Sequence, residues 1–262
     1  MKDSKTRGLI SVIVLVIVWQ VLCEVTGVNQ ALVPSPIKVV EAFYELITKG
    51  LIGSISRVTL VGHIGISLYR FAIGYITAVI LAVILGLLFG YHPGAFDVIN
   101  PVVQIIRPIA PVAFMPFIVL WFGIGNLPAI VIIFIAAFFP VFLSTVAATQ
   151  NVNPIYLKVA QNYGLGKMKT IFGICFPAIF SQIANSLRLA LGTAWIFLVS
   201  GEMVGAQSGL GFLIMDTKNC IRFDSLMATM ITIGAIGFLL DYLMRVLEKR
   251  VNLLFGIRQE EK

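Results

Sequence analysis

Long apolar runs separated by short polar stretches dominate the chain. A bilayer core of about 30 Å takes about 20 apolar residues per helix, and backbone facing lipid must satisfy its own hydrogen bonds. Six spans are predicted on that basis, at about 8–26, 64–90, 102–122, 128–148, 178–205 and 226–246. The expected class is all-α and polytopic. The first run follows a basic start, MKDSKTR, as a signal peptide would, but no small-x-small cleavage site follows it and it is longer than a signal core. An uncleaved first helix is therefore expected.

Two shorter helices are predicted between spans. Over about 36–49, Ser35 is a candidate cap, Pro36 a first-turn proline and Gly50 a stop, with Val40, Phe43, Tyr44 and Ile47 as the apolar stripe. Two roles stand open for it, a docking rim for a partner or a packing brace. Over about 153–164, Asn153 is placed to cap a helix that begins at Pro154 and ends at Gly164, where a left-handed turn needs no Cβ. Ile155, Val159 and Tyr163 share one face, while Lys158, Gln161 and Asn162 keep the rest hydrophilic. This segment reads either as a handle for a partner or as a loop resting on the membrane surface.

Within the spans, three features stand out. Gly74, Ala78, Ala82, Gly86 and Gly90 recur every four residues in the second, a row that admits close approach of another helix, in this chain or in a second copy. The third is interrupted by Arg107, Pro108, Pro111 and Pro116, which points to a helix facing a pathway or to one kinked for packing. Charges also lie inside the spans, and burial costs several kcal/mol unless they are paired or hydrated. Arg70 pairs naturally with Glu202, and Asp241 with Arg188 or Arg107. That leaves one arginine over, able to neutralise a passing anion.

Composition agrees: 59% of residues are hydrophobic and 12% charged, against about a quarter charged in soluble domains. With six spans both termini lie on one side. That side collects Lys2, Lys5, Arg7, Lys158, Lys167, Lys169, Lys249, Arg250, Arg258 and Lys262, while the other has Lys38, Lys49, Arg57, Lys218 and Arg222. The positive-inside rule makes both termini and the 153–177 segment cytoplasmic, and it accounts for the net charge of +7 without nucleic acid. Cys23, Cys175 and Cys220 have no metal or disulfide spacing, and no metal site is expected. No phosphate-binding loop, zinc-protease motif or nucleophile elbow is present. His63 and His92 lie at opposite ends of one span, and the glycines of GAQSGLG at 205–211 read as a turn after a span.

The segments LVPSP (32–36), SLYRFAIGY (67–75), RPIAPVAFMPFIVLWFGIGN (107–126), FFPVFLST (138–145) and LRLALGTAWIFLVSGEMVGAQSGLGFLI (187–214) resemble permease subunits of ABC importers of the nitrate, sulfonate, taurine and bicarbonate group. Their EAA loop runs E-A-A-x-x-x-G with a proline thirteen residues after the glycine. Ala160, Gly164 and Pro177 match it, whereas Lys158 and Val159 replace its Glu and first Ala. The resemblance implies a type I importer permease (MetI-like) fold, with residues 1–262 as one transmembrane domain and a homodimer around a central path. It implies an inner-membrane permease with 153–164 as a coupling helix to two separate ATPase subunits, which would bind ATP and Mg. An external binding protein would deliver a small solute, an anion such as nitrate, bicarbonate, sulfonate or taurine, and this chain would itself carry no cofactor or catalytic residue. Arg107, Pro108, Pro111 and Arg188 are the path candidates. An ion-gradient-driven secondary transporter is the alternative, although no internal repeat of the kind common in such folds is visible.

Overall fold

The computed structural model describes residues 2–25, 32–53 and 58–254. Among them every regular element is helical. In chain order they are α1 (Lys2–Val25), α2 (Pro36–Thr48), α3 (Leu60–Tyr91), α4 (Pro93–Ile106), a 3₁₀ turn at Pro111–Phe114, α5 (Met115–Phe122), α6 (Asn126–Gln150) and α7 (Pro154–Asn162). Then follow α8 (Lys167–Gly205), α9 (Leu210–Asn219) and α10 (Phe223–Leu254). Thr26, Arg57, Arg258 and Lys262, used in the span and charge readings, lie outside the described residues, as do the side chains of Lys2, Lys5 and Arg7.

Among the described residues four helices are long and apolar enough to cross a membrane: Leu60–Tyr91, Asn126–Gln150, Lys167–Gly205 and Phe223–Val251. α1 is one helix of 24 residues, Lys2–Val25, and covers the predicted first span as far as Val25. The expected third span is not one helix but two arms, Pro93–Ile106 and Pro111–Phe122, bent by 82°. Proline chemistry explains the bend. Pro111 drives the residue before it out of the helical region, and Ala110 sits at φ −58°, ψ 132°. The expected fifth span starts too late, because Pro177 does not begin a helix; it lies inside one. A proline clashes with the carbonyl four residues back and cannot donate to it. Here the helix widens into a π turn over Ile171–Cys175 just before Pro177 and continues from Lys167 to Gly205.

By its contacts the chain forms two compact units, Met1–Ser67 with Ser208–Ala235, and Leu68–Gln207 with Ile236–Lys262. In the second, α6 packs along α8, burying Ala129, Ile132, Ile133, Ala136 and Val141 from one and Ile179, Ile183, Ala190, Ala194 and Leu198 from the other. The small-residue row of α3 meets α6 of the same chain, so the close crossing is intramolecular. A Cβ built on Gly74, Gly86 or Gly90 would lie 2.8, 2.6 or 2.5 Å from the nearest atom of Ile130, Thr145 or Thr149. Ala78 and Ala82 between them are fully buried.

In the first unit α2 lies on α1. Its buried side is Val39, Ala42 and Leu46, and the predicted stripe of Val40, Phe43, Tyr44 and Ile47 faces outward instead. Both stripes have helical spacing, so periodicity could not choose between them. Ser35 occupies the cap position without a capping bond from its side chain, and Gly50 ends the helix at φ 76°.

Candidate functional site

The 153–164 segment folds as α7, closed at both ends by its own chemistry. The Ile155 N–H donates to Asn153 Oδ1 at 3.0 Å, and Pro154 occupies a position where no N–H is needed. At the other end Gly164 adopts φ 64°. Its N–H donates to the Gln161 carbonyl at 2.9 Å and the Leu165 N–H to the Ala160 carbonyl at 3.0 Å, the paired bonds of a Schellman motif. Ala160 is the residue of α7 buried against the rest of the unit. Ile155, Tyr156, Val159 and Tyr163 point away from it, Tyr163 with 80% of its surface exposed, and Lys158 is exposed beside them. The inner flank of α7 borders a cavity of about 610 Å³ whose walls include Tyr91, Asp97, Gln150 and Gln161. The helix is thus preformed, apolar on its outward side and loosely seated.

Deep in the same unit the structure brings Arg70 and Glu202 together. The Arg70 Nη1 donates to Glu202 Oε1 at 2.8 Å, with side-chain exposures of 1% and 0%. Arg70 also donates through Nε and Nη2 to Asn126 Oδ1 at 2.9 and 2.7 Å. Asn126 was not singled out by the sequence reading. It is the first residue of α6, directly after Gly123-Ile-Gly125, and the Gly125 N–H donates to the Gly205 carbonyl at 2.8 Å. The buried cluster therefore ties α3, the α5–α6 turn and the end of α8 into one corner.

Arg188 meets Asp241 in a two-pronged contact at 2.7 and 3.3 Å. The second cation on Asp241 is Arg245, at 3.0 Å, not Arg107. Its spacing of four residues along α10 was the available signal. Arg107 caps α4 at the bend, exposed, with no acidic partner among the described residues. Pro108 is exposed beside it and Pro111 opens the 3₁₀ turn. Among the described residues none covers the broken span at its break.

In the first unit His63 and Ser67 of α3 accept from the Gly209 and Leu210 N–H groups, at 3.0 and 2.8 Å. The glycine-rich turn before α9 has its leading donors occupied by protein, as a structural turn does. Among the described residues no three His, Cys, Asp or Glu side chains are grouped to hold a metal. Arg222 joins Glu45 of α2, at 3.2 and 3.0 Å, to Asp224 of α10 at 3.0 Å. Hydrogen bonds to Asp224 and then Glu45 raise its pKa above the usual guanidinium value.

The family model described as binding-protein-dependent transport system inner membrane component matches residues 78–253. The chain belongs to this family. It is 32% identical to the nitrate import permease protein NrtB of Synechocystis sp. over 94% of this chain and 88% of that protein. It is 29% identical to the taurine transport system permease protein TauC of Escherichia coli over 91% of this chain and 86% of that protein. Among solved structures, a chain of the MetNI methionine ABC transporter in inward-facing conformations aligns at a TM-score of 0.54 and 18% identity, covering 72% of this chain and 96% of that one. The fold is accordingly the MetI-like permease fold of a multi-pass membrane protein.

Proposed function

We propose that this chain is the permease subunit of an ATP-driven importer, working as a homodimer between two ATPase subunits and an external binding protein. The observation that carries the reading is α7: a helix capped at both ends, loosely seated, that turns Ile155, Val159 and Tyr163 outward instead of inward. An exposed apolar helix face of this kind fits a groove on a partner. ATP and Mg are bound and hydrolysed in that partner, and this chain contributes neither catalytic residue nor cofactor. Both termini and α7 lie on the cytoplasmic side of the cell membrane, where the lysines of 153–177 satisfy the positive-inside rule. The whole chain, 1–262, acts as one permease domain.

The mechanism is alternating access. Closure of the ATPase pair on ATP moves α7, and α7 passes that motion to α8 through the Schellman turn and the short link to Lys167. A ligand shifts such an equilibrium only through unequal affinity for the two states, so nucleotide and loaded binding protein must each favour one of them. The bend at Arg107, Pro108 and Pro111 lines the path with Arg188, and the uncompensated Arg107 gives it a preference for a small anion. The substrates for which the relatives are named, nitrate and taurine, support an oxyanion or sulfonate. Lys158, where the related loops carry Glu, selects an ATPase whose facing residue is acidic.

A photo-crosslinker placed at Tyr163 tests the coupling role. It should capture the co-expressed ATPase subunit, with a yield that changes between ATP-bound and nucleotide-free states. Crosslinking only to lipid in both states would overturn the assignment of α7.

A further inference from the structure

We propose that α2 is an interfacial helix, seating the face formed by Ile37, Val40, Tyr44 and Ile47 in the boundary between lipid headgroups and acyl chains. The 13 residues of α2 divide into three sectors, not the two of an ordinary surface helix. At 3.6 residues per turn each takes roughly a third of the circumference. Val39, Ala42 and Leu46 form the buried sector. Lys38, Glu41, Glu45 and Thr48 form a polar one. The third holds Ile37, Val40, Tyr44 and Ile47, flanked by Phe43, and carries no charge, with Val40 69% and Tyr44 71% exposed.

The roll of the helix is fixed from two sides, so the third sector cannot turn into the protein. The buried sector holds one side. The other is held by Arg222, which grips both carboxylate oxygens of Glu45. What remains faces away from the chain, and four large apolar side chains with no interspersed charge suit lipid. The helix beneath has the same character: α2 packs on α1, whose Val14, Leu15, Ile17, Val18 and Val21 are also exposed along an apolar helix. Tyr44 has the amphipathic ring that favours the headgroup level. A helix placed this way has protein on one side, bilayer on the second and water on the third.

The test is site-directed spin labelling of the full chain in phosphatidylcholine and phosphatidylglycerol vesicles, with Cys220→Ser and the buried Cys23 and Cys175 replaced by alanine. Nitroxides are attached singly at Val40→Cys, Tyr44→Cys, Lys38→Cys and Glu41→Cys. Collision with oxygen reports lipid, and collision with a water-soluble nickel chelate reports solvent. The oxygen-to-nickel ratio should be severalfold higher at 40 and 44 than at 38 and 41. Equal ratios at all four positions would overturn the proposal, as would labels at 40 and 44 shielded from both reagents, the signature of a protein covering that face. The readout needs no transport, so its failure leaves the importer reading untouched.

Discussion

Replacing Gly86 with alanine probes the packing that holds α3 against α6. The added Cβ would stand 2.6 Å from the Thr145 Cβ, 2.8 Å from its Cγ2 and 3.1 Å from the Phe142 carbonyl oxygen. Carbon atoms rest at about 3.5–4.0 Å, so the two helices must part by about 1 Å at this point. Rotation of the threonine cannot relieve the clash, because the nearest atom is fixed to the backbone. Overpacking of this kind costs about 1–3 kcal/mol. Against it stands the gain of about 0.5–1 kcal/mol from exchanging a helical glycine for alanine. Gly65 on the same helix isolates that gain, since a Cβ there meets nothing within 4 Å. Gly65→Ala should therefore stabilise and Gly86→Ala should not, with a gap between them of about 1–3 kcal/mol. The assay is reversible unfolding in mixed micelles on titration with a denaturing detergent, each variant measured beside the parent. Equal stabilisation by both substitutions would refute the close α3–α6 approach.

Glu202→Gln should destabilise by about 3–5 kcal/mol in the same assay, because it strands the buried Arg70 charge; the double variant Arg70→Met with Glu202→Leu should lose less than the two single changes summed, and strict additivity would deny the coupling. Gly164→Val should abolish ATP-driven uptake while Gly164→Asn retains most of it, since nothing crowds the site and only the left-handed backbone selects the residue; loss in both would point to side-chain volume instead. Glu45→Gln should cost no more than about 1 kcal/mol, a difference that shrinks in high salt, because its pair with Arg222 is partly exposed; a larger, salt-independent loss in thermal stability would mean that the contact does more than set the roll of α2.

Features governed by local chemistry were legible in the sequence. Asn153, Pro154 and Gly164 announce both ends of α7, because a cap, a first-turn proline and a left-handed glycine each act within a few residues. Arg70 and Glu202 were legible as a pair because buried charges need partners, whereas Asn126 was not, since a neutral amide carries no such demand. The small-residue row announced a close crossing but not its partner, which only tertiary structure supplies. The break at Pro108 and Pro111 was legible in the sequence, whereas the start of α8 ahead of Pro177 was not. Residues around Pro108 and Pro111 bend the chain by 82°, while Pro177 is absorbed by a π turn. A single proline leaves one carbonyl to re-satisfy, and a pair three residues apart leaves no helical route between them. The stripe on α2 was misassigned because in a membrane protein an apolar face is no guide to which side is protein.

The most direct test of the importer reading is uptake into proteoliposomes holding this chain with its co-expressed ATPase and purified binding protein, offered nitrate, bicarbonate, taurine and alkyl sulfonates in turn. Uptake of one of these that requires both ATP and the binding protein is the predicted result, and uptake driven by an ion gradient with neither present would contradict it.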